Sequence, residues 1–326
     1  MAKRGPKVAI IVTNYNGASI SYRSKPILWH TFASIKNTNY DNLVAIFTDD
    51  SSSDNSVAYV KSHFPFAKVT VNKPNGGYTK NVNNGIRYAI KNYNPEYILT
   101  LNNDVIIKDR DWLRKMVSAA ESNDYYGIIG PKLLYPDGRL QQAGMFMSGP
   151  LIRNTGWNTH NASKYNKTEE TVSVGGVAQL IKRKVIEKIG LLDENFYQGD
   201  DDVDYCLSAA KAGFKIIYVG AAKVIHLEGF TSKKVSSSKG ENYWFPIFQI
   251  NNMYTAFKQY NTIQLCEAIF ITMLTAVVGV GSRKLSLTSI RFKDKIPWRL
   301  YVSAKAIITA HRLYKGTISR EEAYGL

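Results

Sequence analysis

The sequence predicts an α/β fold in which a mixed sheet is flanked by helices and followed by a C-terminal helical region. Two observations predict the sheet: short apolar runs alternate with amphipathic stretches over the first 130 residues, and polar residues follow each run. A third, the mainly helical pattern of residues 251–326, predicts the helical region. We therefore place one domain at 1–250, with halves of about 1–130 and 131–250, and a second region at 251–326.

Four buried strands are predicted in the first half, because apolar runs bounded by turn residues are typical of a parallel sheet. The strands are predicted at 8–12, 43–47, 67–71 and 97–101, and helices near 27–37, 54–63, 79–92 and 109–123. In open α/β sheets the ligand crevice borders the carboxyl ends of the strands. We therefore expect the four polar clusters to converge on one site.

The second half begins with a predicted strand at 127–134. A short helix at 183–189, a helix from the acidic cluster at 200 to Gly213, and a strand at 215–219 are predicted after it. The polar stretch 150–170 is predicted to be a mobile loop.

The composition excludes some classes of protein. With 44% hydrophobic and 21% charged residues the chain can bury a core, which excludes wholly disordered and collagen-like proteins. Two cysteines, Cys206 and Cys266, are too few for a disulfide framework and indicate a reducing compartment. The apolar run at 8–12 is too short for a signal peptide, so we expect a cytoplasmic location.

The formal charge of +16 admits nucleic acid, anionic lipid or a phosphorylated small molecule as partner. Residues 251–326 are the denser basic region, with 11 basic and 4 acidic residues. They include an uncharged stretch at 268–281, shorter than the about 20 apolar residues that cross a bilayer. Basic and aromatic residues follow it: Arg283, Lys284, Arg291, Phe292, Lys293, Lys295, Trp298, Arg299 and Tyr301.

This combination is typical of a helix that lies in the lipid headgroup layer. A core helix with a solvated basic face explains the pattern equally well. We expect peripheral membrane contact through residues 265–315, at the inner face of the cell membrane. Nucleic acid is not expected as a partner, because the acidic clusters at the strand ends would repel phosphates that no metal bridges. A homo-oligomer is left open.

Acidic residues follow two of the predicted strands. Asp49 and Asp50 come directly after the second strand, where a carboxylate can accept the imide N–H of uracil or thymine while Tyr15 stacks on the base. Asp104 ends a polar turn after the fourth strand and suits Mg²⁺ or Mn²⁺, which prefer oxygen ligands. Turn formation and helix capping are the alternative explanations for both clusters.

The densest acidic cluster spans residues 200–204, with four aspartates in five residues. Acids at a helix start are favoured by the helix dipole. Crowding also raises the proton affinity of carboxylates, which suits a general base. His226 follows the last predicted strand, and we expect a metal or diphosphate contact there, with a structural histidine as the alternative.

Taken in order, these residues resemble the inverting family 2 glycosyltransferases with the GT-A fold, in particular the branch that includes rhamnosyltransferases and galactofuranosyltransferases. The motifs of dinucleotide oxidoreductases, P-loop enzymes and α/β-hydrolases are absent. The matching segments run from about residue 8 to 258: 8–17, 48–56, 75–78 with Asn83 and Gly85, 102–104, 130–138 with 142–144, 192–196, 201–204 and His226.

The resemblance implies a GT-A catalytic domain with a nucleotide-sugar half and an acceptor half. It implies that Asp202 is the catalytic base and that Asp104 and His226 contact a divalent metal. The implied nucleotide-binding residues are Thr13, Tyr15, Asp49, Asn83 and Asn103, and the implied acceptor or sugar contacts are Asp201 and Gly176. The substrates would be a UDP- or dTDP-sugar and a glycan or lipid-linked acceptor.

Three residues depart from the family pattern: Asn102 replaces the first acid of D-x-D, Asp201 stands for Glu, and Ser208 stands where many relatives carry Arg. They motivate one alternative from another class, a sugar-nucleotide-binding protein of the same fold with impaired catalysis.

Overall fold

The computed structural model describes residues 5–160, 162–228, 241–278 and 296–325. It divides into two compact units. The first comprises Met1–Phe146, Arg153–Glu194 and Asp201–Val235, and the second comprises Met147–Ile152, Asn195–Asp200 and Ser236–Leu326. The second unit therefore begins before residue 251 and includes two short segments from within the predicted 1–250 domain.

The described strands and helices alternate through the first unit, and helices make up most of the second. The strands are β1 Val8–Asn14, β2 Ser21–Tyr22, β3 Lys25–Pro26, β4 Leu43–Asp49, β5 Lys68–Val71, β6 Tyr97–Asn102, β7 Val105–Ile106, β8 Tyr126–Leu134, β9 Leu140–Gln142, β10 Met145–Ser148, β11 Leu151–Asn154, β12 Thr168–Glu170, β13 Ala178–Lys182 and β14 Lys215–His226. The helices are α1 Ile27–Lys36, α2 Ser56–His63, α3 Gly77–Tyr93, α4 Trp112–Glu121, α5 Arg183–Ile189, α6 Asp201–Lys211, α7 Glu241–Gln259, α8 Thr262–Val278, α9 Ile296–Tyr314 and α10 Arg320–Tyr324.

A mixed sheet of ten described strands forms the first unit. Its main path is β12-β14-β8-β13-β6-β1-β4-β5, with β7 beside β14 and β9 beside β8. Strands β1, β4, β5 and β6 are parallel, and β13 is antiparallel to both β6 and β8. The register places Asn14 level with Asp49, and Thr13 level with Asn102. The carboxyl ends of three central strands therefore meet at one edge of the sheet.

Both faces of β1 are buried, which explains why its sequence is continuously apolar. Ile10 and its even-numbered neighbours pack with Phe32 of α1, whereas Ile11 faces the other side and packs with Ile86 of α3. A Cβ on Gly85 would lie 2.4 Å from Cγ2 of Ile11, so this glycine lets α3 approach the sheet closely.

The second half differs from the sequence prediction in two places. Residues 150–170 contain β11 and β12, and β12 pairs antiparallel with β14 at the edge of the main sheet. Its three residues, Thr-Glu-Glu, are exposed, and such charged edge strands look like loops in a sequence. Strand β14 continues past 219 to His226 after an irregularity in its pairing with β8. The helix predicted at 183–189 is confirmed as α5.

The second unit has its own core, in which Phe196 packs with Tyr254 of α7 and with Ala310 and Leu313 of α9. The side-chain amide of Asn251 donates to the carbonyl oxygens of Gln198 and Gly199 at 2.7 and 3.0 Å. The predicted helical character of this region is confirmed over the described residues.

Of the basic and aromatic residues singled out after residue 281, those at 283–295 lie outside the described residues. Among the residues that are described, no helix combines the length and apolar character that crossing a membrane requires.

Candidate functional site

The polar residues that end β1, β4 and β6 form one hydrogen-bonded group, as the sequence predicts. Asn14 is at its centre: Nδ2 donates to Oδ1 of Asp49 at 2.8 Å, and Oδ1 accepts from Nδ2 of Asn103 at 2.6 Å. A Cβ on Gly17 would lie 2.3 Å from Oδ1 of Asn14 and 2.7 Å from Nδ2 of Asn103. The glycine is therefore required for the turn after β1 to fold over this group.

The two adjacent carboxylates after β4 are buried, with 1% of Asp49 and 4% of Asp50 exposed. Asp49 also accepts from the hydroxyl of Ser52 at 2.6 Å and from its backbone N–H at 2.9 Å. Asp50 accepts from the backbone N–H groups of Gly76 and Gly77 at 2.9 and 2.8 Å, where α3 begins. Burial raises the pKa of Asp50. The start of the helix favours a negative charge at this place.

The remaining predicted nucleotide-binding residues differ in accessibility. Tyr15 is 43% exposed just beyond β1, whereas Thr13 is 6% exposed within the strand. Asn83 is fully buried; its amide donates to the carbonyl oxygen of Leu192 at 2.9 Å and accepts from the backbone N–H of that residue at 3.1 Å. Asn83 therefore connects α3 to the loop before α6, and the structure does not bring it to this edge.

Asp104 and His226 are brought together by the pairing of β7 with β14, which places His226 opposite Val105. Nε2 of His226 lies 3.2 Å from Oδ1 of Asp104, an ion-pair contact that lacks hydrogen-bond alignment. Burial lowers the pKa of His226, but the carboxylates of Asp104 and Glu228 outweigh it, so the pKa is raised from its usual value.

Two oxygen atoms at the end of β6 are buried and accept no hydrogen bond: Oδ1 of Asp104 itself and Oδ1 of Asn102, two residues before it. A buried acceptor without a partner costs about 1–3 kcal/mol, so these atoms indicate a site for a ligand. Adjacent ligands of an octahedral ion with bonds of about 2.1 Å stand about 3 Å apart, close to the distance between His226 and Asp104. The residues present therefore fit a divalent cation.

In the part of the chain that the structure describes, no group of three or more His, Cys, Asp or Glu side chains can hold a metal. The cation would thus have few protein ligands, as is usual for Mg²⁺ sites completed by water and phosphate oxygens.

Asp202 lies in the first turn of α6, where its Oδ2 accepts from the backbone N–H of Gly176 at 2.6 Å and its Oδ1 from that of Val203 at 2.9 Å. The pKa of Asp202 is raised, and the cause is burial rather than the crowding of aspartates that we expected. Its neighbour Asp201 is 4% exposed. A Cβ on Gly176 would lie 3.3 Å from Cβ of Asp202, so a larger residue would crowd the carboxylate.

Tyr78 was not among the predicted site residues. Its hydroxyl donates to the carbonyl oxygen of Gly176 at 3.2 Å. Burial and the negative charges of Asp201, Asp202 and Asp104 raise its pKa well above the usual value, which keeps the phenol protonated. The only signal in the sequence is a hydroxyl at the position of Phe in the N-x-G-F segment of the resembled family.

Gln141 and Glu228 were also missed. Oε1 of Gln141 lies 3.0 Å from Nδ1 of His226, and Nε2 of Gln141 donates to Oε2 of Glu228 at 2.9 Å. Neither residue belongs to a motif, and 85 residues separate Gln141 from His226 in the chain.

The family model described as "Glycosyl transferase family 2" matches residues 9–190. The O-antigen biosynthesis protein RfbC of Myxococcus xanthus is 29% identical over 169 residues, which are 48% of this chain and 13% of RfbC. The low-salt glycan biosynthesis hexosyltransferase Agl10 of Haloferax volcanii is 27% identical over 164 residues, 50% of this chain and 53% of Agl10. The chain thus spans only part of the length of both proteins.

A third relative is the N-acetylglucosaminyl-diphospho-decaprenol L-rhamnosyltransferase of Mycobacterium tuberculosis. It is 22% identical over 232 residues, which are 64% of this chain and 74% of that enzyme.

Two solved structures share the fold. The mannosyltransferase PcManGT of Pyrobaculum calidifontis, solved with GDP-Man and Mn²⁺, has a TM-score of 0.56 and 16% identity. The match covers 98% of this chain and 78% of the PcManGT chain. GalNAc-T7, solved with UDP, GalNAc and Mn²⁺, has a TM-score of 0.61 and 14% identity. The match covers 95% of this chain and 58% of the GalNAc-T7 chain. The likeness confirms the predicted GT-A fold.

Proposed function

Because the chain belongs to glycosyl transferase family 2, we propose that it transfers a sugar from a nucleoside-diphosphate sugar to a hydroxyl of a glycan or lipid-linked acceptor. One observation carries the proposal: the hydroxyl of the half-buried Tyr78 donates to the carbonyl oxygen of Gly176, whose backbone N–H binds Asp202, and the charge of Asp104 also acts on this hydroxyl. The names of the relatives, a glycan hexosyltransferase and a rhamnosyltransferase with a lipid-linked acceptor, support it.

The nucleotide would bind at the ends of β1 and β4, with Tyr15 stacked on the base. A carboxylate offers about four acceptor positions, and three at Asp49 are used by Asn14 and Ser52. The remaining one is available for the imide N–H of a uracil or thymine ring, which favours a UDP- or dTDP-sugar. Thr13 and Asn103 would line the same site.

Asp104 and His226 would hold a divalent cation, Mg²⁺ or Mn²⁺, and the buried amide oxygen of Asn102, two residues before Asp104, would be a further ligand. When bound, the cation supplies charge neutralisation for the leaving diphosphate. The Mn²⁺ named for both structural neighbours supports a metal of this class.

Asp202 would act as the base. Its carboxylate takes the proton from the acceptor hydroxyl while the acceptor oxygen bonds to the anomeric carbon. The bond between that carbon and the β-phosphate oxygen breaks, and the nucleoside diphosphate leaves with inversion at the sugar. The raised pKa of Asp202 makes it a better proton acceptor than an exposed aspartate. Asp201 and Gly176 would contact the acceptor or the transferred sugar.

The test is a panel of nucleotide sugars with and without Mn²⁺, read as release of nucleoside diphosphate. We expect release from at least one sugar donor, and we expect Asp202→Asn to reduce transfer by about 10²–10⁴-fold. Asp124→Asn, which changes an exposed aspartate, is the matched control. Unchanged transfer by Asp202→Asn would reject Asp202 as the base. Binding of a sugar nucleotide without hydrolysis or transfer would favour the alternative, a binding protein with impaired catalysis, to which the neutral Asn102 points.

The second unit supports a peripheral membrane contact at the cytoplasmic face. On α8, Ala268 and Ala276 are buried, whereas Ile263, Phe270, Leu274 and Val277 are 73, 67, 44 and 46% exposed. The exposed four recur every three, four or seven residues and so lie on one face. The core-helix interpretation therefore describes one side of α8, and an apolar stripe remains exposed on the other.

On α9, Tyr301 and Ile308 are 64 and 62% exposed, and Lys305 lies over the ring of Tyr301. Apolar, aromatic and basic side chains together suit an anionic headgroup layer. We expect the protein to float with phosphatidylglycerol vesicles and Phe270→Asp/Leu274→Asp to abolish flotation. Tyr125→Asp, at an equally exposed position of the first unit, should have no effect. Flotation by the double variant would contradict this contact.

A further inference from the structure

We infer that Gln141 is a positioning residue that holds His226 in the tautomer able to bind a divalent cation, and that Glu228 orients Gln141 for this task. The inference rests on the proposed function, in which His226 and Asp104 hold the cation, and it goes further by assigning two residues that no motif marks.

The orientation of Gln141 follows from what each group can donate. The carboxylate of Glu228 only accepts hydrogen bonds, so the NH₂ group of Gln141, at 2.9 Å, must face it. The amide oxygen of Gln141 is then left facing Nδ1 of His226 at 3.0 Å. A carbonyl oxygen cannot donate, so Nδ1 of His226 carries the proton.

The proton on Nδ1 determines the state of the other ring nitrogen of His226, Nε2. In a neutral imidazole with the proton on Nδ1, Nε2 carries the lone pair. Nε2 is the nitrogen that lies 3.2 Å from Oδ1 of Asp104, which accepts no hydrogen bond. Gln141 is 7% exposed and His226 is 9% exposed, so water competes little for these contacts. The ring thus presents a lone pair where the cation would bind.

The sheet keeps this arrangement in place. Strands β9 and β14 both pair with β8, which holds Gln141 and His226 close to each other. Successive side chains of a strand point to opposite faces, and the neighbouring Gln142 accordingly faces away and accepts from the backbone N–H of Gly175 at 2.7 Å. Only Gln141, of the two glutamines, reaches the histidine.

The first measurement is Mn²⁺ affinity, followed as the loss of the free-ion signal in electron paramagnetic resonance. We expect Gln141→Met, which removes the acceptor and keeps the length, to weaken binding by about tenfold, the low end of the effects seen when partners of metal ligands are lost. The exchanged pair Gln141→Glu/Glu228→Gln keeps the net charge and an acceptor for Nδ1, so it should restore most of the affinity. If the wild-type protein binds Mn²⁺ and Gln141→Met binds it with the same affinity, the inference about Gln141 is wrong, whereas the proposed function is unaffected.

The second measurement observes the ring of His226 in the wild-type protein, and a variant is used only to assign the signal. Long-range ¹H–¹⁵N spectra of the wild-type protein saturated with Mg²⁺ should show a protonated Nδ1 on His226, with the signal assigned by its loss in His226→Ala. A proton on Nε2 would overturn the inference while leaving cation binding by Asp104 intact. If wild type binds neither Mn²⁺ nor Mg²⁺, the metal part of the proposed function fails and the inference fails with it.

Discussion

Two polar pairs at the carboxyl edge of the sheet, Asp49 with Asp50 and Asn102 with Asp104, differ in how their oxygen atoms are used. After β4, Asp49 and Asp50 receive hydrogen bonds from Asn14, Ser52 and the backbone of Gly76 and Gly77. After β6, Oδ1 of Asp104 and Oδ1 of Asn102 receive none. Asp49, Asp50 and Asp104 are buried, Asn102 is half-buried, and both pairs lie at the end of an apolar strand. The difference indicates that the hydrogen bonds of the first pair stabilise the fold, whereas the second pair has oxygen atoms to which the cation of the proposed function would bind.

The largest expected effect concerns Asp104, in the pair at the end of β6. Asp104→Asn should reduce metal-dependent transfer by about 10²-fold or more, because it removes the charged ligand of the proposed cation and leaves a neutral amide. At a pH above the raised pKa of His226, where the ion pair with Asp104 no longer contributes, the free energy of unfolding should change by less than about 1 kcal/mol, since Oδ1 of Asp104 accepts no hydrogen bond. Transfer assays with urea unfolding on the same preparations check both parts. A large loss of stability with little loss of transfer would show that Asp104 stabilises the fold and does not bind the cation.

For the pair at the end of β4, we expect substitution to reduce the stability of the fold. Asp50→Asn leaves one of the N–H groups of Gly76 and Gly77 facing an amide NH₂, and a buried donor without a partner costs about 1–3 kcal/mol. We expect that loss in the free energy of unfolding measured in urea. Asp124→Asn, at an exposed aspartate of the first unit, is the control. A fully stable Asp50→Asn protein would show that the start of α3 does not depend on this carboxylate.

The pH dependence of the metal-free protein gives a third comparison. The pKa of His226 is raised by Asp104 and Glu228, so the ion pair stabilises the folded state at low pH. This contribution should be fully present below the ordinary pKa of histidine and should be lost as the pH rises through the higher pKa of the folded protein. The measurement is the difference in urea unfolding free energy between wild type and His226→Gln from pH 5 to 9. A difference that grows with pH contradicts the assignment.

Cation binding should show the opposite trend, because only the deprotonated ring of His226 offers a lone pair. Mn²⁺ affinity should therefore fall as the pH drops through the raised pKa of His226, in the range where the ion pair becomes stronger.

The smallest effect is expected at Tyr78. Tyr78→Phe removes one hydrogen bond to the carbonyl oxygen of Gly176, at a cost of about 1 kcal/mol. The backbone N–H of Gly176 holds Asp202, so transfer should fall several-fold through kcat, with little change in KM for the sugar donor. Tyr125→Phe, at an exposed tyrosine, serves as control. If Tyr78→Phe and Tyr125→Phe lost the same stability, the hydrogen bond from Tyr78 to Gly176 would not contribute to the fold.

Periodicity predicted the strands that carry the site, because a strand buried on both faces must be apolar along its length. It missed β12, whose exposed Thr-Glu-Glu sequence has no apolar side to reveal it. Residue type selected Asp104 and His226, whose side chains lie 3.2 Å apart, and Asp202, which binds the backbone N–H of Gly176. It also selected Asn83, which is polar but fully buried against the backbone of Leu192.

The sequence by itself determined that polar clusters follow buried strands, and parallel pairing then brings those clusters to one edge. Only the tertiary structure decided which polar groups are satisfied, because their partners are distant in the chain. Gly77 is 27 residues from Asp50, Gly176 is 26 residues from Asp202, and Gln141 is 85 residues from His226. A carboxylate looks the same in the sequence whether a backbone N–H or a metal ion completes it. The hydrogen bonds that distinguish the two form only when the sheet has assembled.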